Sequence, residues 1–191
     1  MKLACFLAIA ILAPKALFGA DTYFPKGTVS DFEQTWYAAH LSAMKEPVLA
    51  SRGADKSHFA FRILYLPTWG RPVAVRIEKT GERIVLRSVM LSGDGGYGPG
   101  TVKDEKESTI TATEFASLLG EIRKSGFWEL SPKDEVIGFD GSQLIIEAIQ
   151  DGKHVVFVRW TPENQTAKRG LAGLVSLYRR LFREAGFWTK K

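Results

Sequence analysis

Only one cysteine occurs in the 191 residues, and it stands at position 5. The chain beyond it has no disulfide, no thiol nucleophile and no cysteine-bound metal within reach. Histidine is scarce too. His40, His58 and His154 are the three, and none has a His, Asp or Glu partner at a metal-ligating spacing. No G-x-S-x-G elbow is present; the Gly141-Ser142 step opens a strand and leads to no helix. No low-complexity tract and no block of like charges breaks the chain. The longest apolar run, Leu3 to Ala13, is too short to cross a bilayer. Composition and motifs therefore call for no cofactor and no metal.

What is present is ordinary for a globular protein, with 45% apolar and 25% charged residues. The length suffices for one domain with its own core. The first twenty residues differ from the rest. A positive start at Lys2, the short apolar run, and Gly19-Ala20 read as a secretory signal cut near Ala20, the competing reading being an uncleaved amphipathic anchor. The expectation is a periplasmic or secreted protein, with residues 21–191 forming a single domain. A disulfide-free exported domain fits a bacterial periplasm. The formal net charge is +5, and Ala167 to Lys191 concentrates it, with seven basic residues against the single acid Glu184.

Ser30-x-x-Glu33 and Thr111-x-x-Glu114 are capping boxes. They predict helices from about Asp31 to Lys45, with Phe32, Trp36, Ala39 and Ala43 on one face, and from Thr111 to a left-handed cap at Gly126. A third helix is predicted from about Ala167 to Ala185 on the stripe Leu171, Leu174, Val175, Tyr178, Leu181 and Phe182. Strands are predicted at Ser57 to Leu66, Pro72 to Glu78, Arg83 to Leu91, Gln143 to Ile149 and Lys153 to Trp160. Val73, Val75 and Ile77 alternate with Ala74, Arg76 and Glu78, which predicts one buried and one wetter face. The last two strands form a hairpin at Asp151-Gly152. A three-residue turn there gathers Leu144, Ile146, Ala148, Val156, Val158 and Trp160 on one face, and Glu147 with Arg159 on the other. The fold class is α+β: a largely antiparallel sheet of five or six strands with about three helices packed mainly on one face.

Ser92 to Gly100, SGDGGYGPG, contains G-x-G-x-x-G. A dinucleotide turn needs a helix N-terminus directly after it, and the polar Thr101 to Glu107 provides none. The stretch is expected to be a mobile connection, with Tyr97 its one side chain suited to binding. Asp134, Glu135, Asp140 and Glu147 offer paired carboxylates for hydrolysis, against the plain role of acids near turns. Trp69, Tyr97, Trp128 and Trp160 could supply a sugar-stacking or partner surface. Arg179, Arg180 and Arg183 lie off the apolar stripe and are candidates for weak contact with an anionic membrane surface.

Asp140-Gly141-Ser142, then Glu147, Gly152, Arg159-Trp160 and Pro162, resembles a group of uncharacterised, signal-peptide-bearing bacterial proteins with the pattern D-G-x5-E, a hairpin, and R-W-x-P. The resemblance covers about Phe59 to Phe187, including Phe61 to Pro67, and departs from the pattern at Leu144 and His154. It implies export and a single domain and supplies no activity. If the pattern marks a site, Asp140, Glu147 and Arg159 form it. The expectation is an exported binding module of the cell envelope that engages an envelope protein or ligand and no nucleic acid. Competing readings are an envelope hydrolase using the carboxylates near the second hairpin, and a secreted inhibitor or effector.

Overall fold

Reciprocal capping starts two of the three helices. In the computed structural model, which describes residues 22–52 and 56–187, the Glu33 amide donates to Ser30 Oγ at 3.3 Å and the Ser30 amide donates to the Glu33 carboxylate at 2.8 Å. Thr111 and Glu114 repeat this at 3.2 and 2.7 Å. Each pair satisfies amides that lack a partner inside the helix. The helices so begun are α1 (Asp31–Ala43) and α2 (Ala112–Lys124). The strands are β1 (Phe59–Pro67), β2 (Val73–Thr80), β3 (Arg83–Leu91), β4 (Val102–Thr109), β5 (Ser142–Gln150) and β6 (Lys153–Trp160), and α3 (Ala172–Glu184) closes the order. The expected signal sequence lies outside the described residues, as do residues 188–191.

The six strands form one antiparallel sheet in the order β4-β3-β2-β1-β5-β6. Strands β1 to β4 run as a meander to one edge. The chain then returns by way of α2, and β5 pairs with the free side of β1. On one face, Phe61, Ile63, Val75, Ile77, Leu144, Ile146 and Phe157 pack against α2 and α3 through Phe115, Ile122, Leu174, Tyr178 and Phe182. On the other face, α1 sets Tyr37, Leu41 and the adjoining Met44 on Leu64, Leu66, Ala74, Val89, Ile145 and Val158. Two helices thus share one face and α1 covers the opposite one. The expected wetter face of β2 is therefore buried, with Arg76 7% and Glu78 8% exposed. The buried stripe of α1 is also a different one: Phe32 is 74% exposed, while Tyr37, His40 and Leu41 are inside.

Three further expectations are corrected. The polar run after the glycine-rich stretch is strand β4, exposed almost throughout. Its charges suit an edge strand, where they oppose pairing with another chain. Helix α3 starts at Ala172, five residues later than the periodicity predicts. Positive φ at Gln165 (51°) and Gly170 (67°) breaks the helical path. Arg169 also holds the Trp160, Thr161 and Asn164 carbonyls in a turn. Finally, Gln150 pairs with Lys153, so the β5–β6 turn has two residues. Asp151 (φ 54°) and Gly152 (φ 76°) are both left-handed, as a twist-matched two-residue hairpin turn requires. The slip reverses the faces: Glu147 sits opposite Val156, Arg159 sits opposite Leu144, and Glu147 and Arg159 lie on opposite sides of the sheet.

The α1 side of the sheet carries a buried ionic row. Pairing aligns Glu107, Arg87, Arg76, Arg62 and Glu147 across five adjacent strands. Glu46, just beyond α1, lies over the three arginines. Its carboxylate accepts from Arg76 Nε at 2.8 Å, from Arg62 Nη1 at 3.4 Å and from Arg87 Nη1. Glu147 accepts from Arg62 Nε at 2.9 Å and lies 3.2 Å from His154 Nε2. Glu78 meets Arg76 and Arg52, with His58 Nε2 at 2.9 Å. Arg62, Arg76 and Arg87 balance Glu46, Glu78 and Glu147, and each of the six is at most 8% exposed. Such a set is tolerable in a core only because every charge is paired.

Glu46→Ala removes the carboxylate that three buried guanidiniums share, leaves each with another carboxylate partner and the buried row with an excess positive charge, and should lower unfolding free energy by about 3–5 kcal/mol in urea titration. Glu105→Ala, which removes a half-exposed partner of Arg87, should cost under about 1 kcal/mol. Burial pushes the Glu78 carboxyl up, but the hydrogen bond from His58 and the charges of Arg76 and Arg52 outweigh this and hold it below its ordinary 4.5. Glu78 therefore contributes stability that is fully present above 4.5 and lost as pH falls through its lower folded value. The fall in stability below pH 4.5 should be shallower in Glu78→Gln than in wild type.

Candidate functional site

One end of the sheet opens into a groove of about 660 Å3, within the range of roughly 300–1,000 Å3 typical of small-ligand sites. Its floor comes from strand ends: Leu66 of β1, Ser142 and Gln143 of β5, and Trp160 of β6. One wall is the first two turns of α1, with Phe32, Thr35 and Trp36. The other walls are the 92–100 loop, through Gly96 and Tyr97, and the loop before β5, through Gly138, Phe139 and Asp140.

Close backbone approach makes this geometry possible. A Cβ on Gly95 would fall 2.6 Å from the Leu66 carbonyl carbon, and one on Gly138 would fall 2.1 Å from the Trp160 ring. Only glycine lets the loop lie on the strand end and lets Trp160 lie flat on the chain. The 92–100 loop is a pinned hairpin connection between β3 and β4, which corrects the expected mobile link to a helix. The Ser92 amide donates to the Thr101 carbonyl, that of Gly93 to Pro99, and that of Gly95 to Gly70, at 2.9, 3.1 and 2.9 Å. Trp36 Nε1 donates to the Gly95 carbonyl at 2.8 Å and ties the loop to α1.

The loop before β5 is fixed at both ends. The Thr68 amide donates to the Gly141 carbonyl at 2.8 Å, and the Gly141 amide donates to Thr68 Oγ1 at 3.1 Å. At the other end, Arg159 donates to the Ser131 and Pro132 carbonyls, and Asp134 lies 3.3 Å from Arg159 Nε and accepts from Arg169 Nε at 2.9 Å. Burial pushes the Arg159 guanidinium below its ordinary value, opposed by Asp134. Its Cζ lies 3.7 Å from the Phe157 ring centre. Between these anchors the loop presents Ile137 and Phe139, 86% and 103% exposed.

The predicted site residues thus separate. Asp140 and Tyr97 meet in the groove. Glu147 is in the ionic row under α1, and Arg159 is a loop anchor on the opposite face. Among the aromatics, Tyr97 and Trp160 line the groove, and Trp69 joins Tyr97 with ring centres 5.1 Å apart. Trp128 packs beside Phe127 on the α2 side. Trp69 and Tyr97 are 71% and 61% exposed, so water loses little when they pack and a ligand could gain much. Sequence reasoning missed Phe32 and Trp36. Their i, i+4 spacing reads equally as core, and only the placement of α1 shows that the pair faces the groove.

Of the three arginines of α3, Arg183 is exposed and Arg179 and Arg180 are half-buried. Arg180 meets Glu121 and lies 3.2 Å from Glu184, joining α3 to α2. Arg179 lies beside Tyr178. Burial, followed by the nearby Glu163 charge, pushes the Tyr178 phenol far up and that of Tyr65 to about 12. Among the described residues, no group of three or more His, Cys, Asp or Glu is placed to hold a metal ion. No helix among them is long and apolar enough to cross a membrane. Compared with protein-family models and with curated proteins, the chain matches none.

Two substitutions separate scaffold from surface. Gly95→Ala forces backbone against backbone and should cost about 1–3 kcal/mol, with an altered Trp36 environment by fluorescence. Tyr97→Ala should stay within about 0.5 kcal/mol of wild type in the same denaturation assay.

Proposed function

We propose that this is an exported binding protein of the cell envelope, without catalytic activity, and that the groove between α1, the 92–100 loop and the loop before β5 is its ligand site. One observation carries the reading: exposed rings and small polar side chains converge on a concave surface whose walls are hydrogen-bonded to one another. Such a preformed site spares a ligand the ordering of loops. Export is supported by the leader-like first twenty residues. The D-G-x5-E and R-W-x-P pattern supports membership of the exported bacterial group it resembles. In this fold Asp140 and Trp160 of that pattern line the groove, while Glu147 and Arg159 brace the scaffold.

Hydrolysis by paired carboxylates has less support. Acid–base cleavage of a glycosidic bond needs two carboxyl groups flanking it, about 5–10 Å apart. Among the described residues, Asp140 is the one carboxylate lining the groove. Asp134 is engaged by Arg159 and Arg169, and Glu147 by Arg62.

A fragment screen by two-dimensional NMR tests the reading. Hits should cluster on the indole signals of Trp36 and Trp160 and on the amides of Gly96, Tyr97 and Gln143. Hits that avoid these signals, or gather on another face, overturn the site.

A further inference from the structure

We infer that the groove takes an uncharged oligosaccharide, an inference that rests on the binding reading above and narrows it to a chemical class. The first argument is charge. Among the described residues, Asp140 is the only charged side chain in the lining, no lysine or arginine lines the groove, and Lys133, on the loop before β5, is paired with Glu33 of α1 at 3.3 Å. An anionic ligand would meet one carboxylate and no compensating cation, so nucleotides, phosphorylated headgroups and acidic glycans are disfavoured.

The second argument is the kind of apolar surface. Among the described residues, Leu66 is the one aliphatic side chain in the lining; the remaining apolar side chains there are aromatic rings. An acyl chain is matched by a closed aliphatic channel. Flat rings are matched by a flat apolar face, and a pyranose presents one in its axial C–H groups. The Trp69–Tyr97 pair carries this surface beyond the groove mouth, which suits several linked rings better than one.

The third argument is unmet polarity. Gln143 lines the groove, and its Oε1 atom is closed to water and has no hydrogen-bond partner, so a rotation of this side chain is what would turn it to a ligand. A buried acceptor left so is costly unless a ligand brings a donor. The Thr35 and Thr68 residues and the Asp140 carboxylate stand around the same space. Hydroxyl groups on the rim of a sugar ring both donate and accept, and serve all of these groups at once. A quaternary ammonium would satisfy the rings and Asp140, but it carries no donor for Gln143.

The test titrates the purified protein, followed by tryptophan fluorescence. The probes are β-1,4-linked hexasaccharides of glucose, N-acetylglucosamine and mannose, a galacturonate hexasaccharide, and tetramethylammonium chloride. At least one neutral hexasaccharide should bind saturably, and the galacturonate and the ammonium should not. Tyr97→Ala should weaken that binding about tenfold with an unchanged melting temperature, and Tyr97→Phe, which keeps the ring, should restore it to within about twofold. The inference is overturned if no neutral hexasaccharide binds, if the ammonium or the galacturonate binds as tightly, or if Tyr97→Ala and Trp69→Ala both leave sugar binding unchanged. Fragments that still map to the groove when sugars fail would overturn the sugar class alone; fragments that avoid the groove would remove the binding reading as well.

Discussion

Glu46 holds the molecule's two halves in register. Three arginines side by side on adjacent strands would repel one another and resist burial. Glu78 and Glu147 offset part of that charge from within the sheet, and Glu46, which reaches all three arginines from just beyond α1, adds the third carboxylate and in doing so fixes where α1 lies. Lys45, with φ of 56°, turns the chain so that Glu46 points back onto the sheet. The Tyr23 hydroxyl donates to the Glu46 carbonyl at 3.1 Å and holds the same turn from the other side. Apolar packing of Tyr37 and Leu41 supplies the attraction between helix and sheet, but such packing has no strong direction. The ionic contact supplies the direction, because a buried charge tolerates few alternative positions.

The groove inherits its shape from that placement. Its floor belongs to the sheet and one wall belongs to α1, so any shift of the helix would open or close it. The bond from Trp36, near the middle of the helix, to the Gly95 carbonyl fixes the same distance. The helix is therefore tied at two places, beyond its C-terminal end by charge and near its middle by an indole. The scaffold that results is stiff where its rings are exposed, an arrangement suited to recognition without a large closing motion.

Much of the fold was legible because its signals are local. Both capping boxes, the alternation in β2 and the stripe of α3 from Leu171 depend on a few neighbouring residues. Strand β4 was not legible, because VKDEKEST has no apolar alternation and pairs only at an edge. The hairpin register was misread for a related reason. Segregating apolar residues from Glu147 and Arg159 assumed that charges face water, whereas both are buried and paired within the fold. The arginine row has a faint trace in the sequence, one arginine near the middle of each of three consecutive strands. Its meaning depends on Glu46, which lies in a loop and gives no periodic signal. Of the candidate site, Tyr97, Asp140, Trp69 and Trp160 were visible singly. Their convergence depends on α1, whose orientation no local pattern encodes.

Strand β1 lies near the centre of the sheet, yet its second neighbour, β5, begins only at Ser142. A chain emerging from its N-terminus completes the β1–β4 meander and α2 long before β5 exists. Through that interval the Phe59–Pro67 segment has one side paired with β2 and one side bare. Its apolar, β-prone sequence makes that bare side a template for pairing with another copy. The finished protein displays a charged edge at β4, but the unfinished one displays its most adhesive strand. The order in which the strands are made therefore leaves the early chain in need of an escort or of speed, and delayed entry into the sheet by β5 is the step at which it is most exposed to self-association.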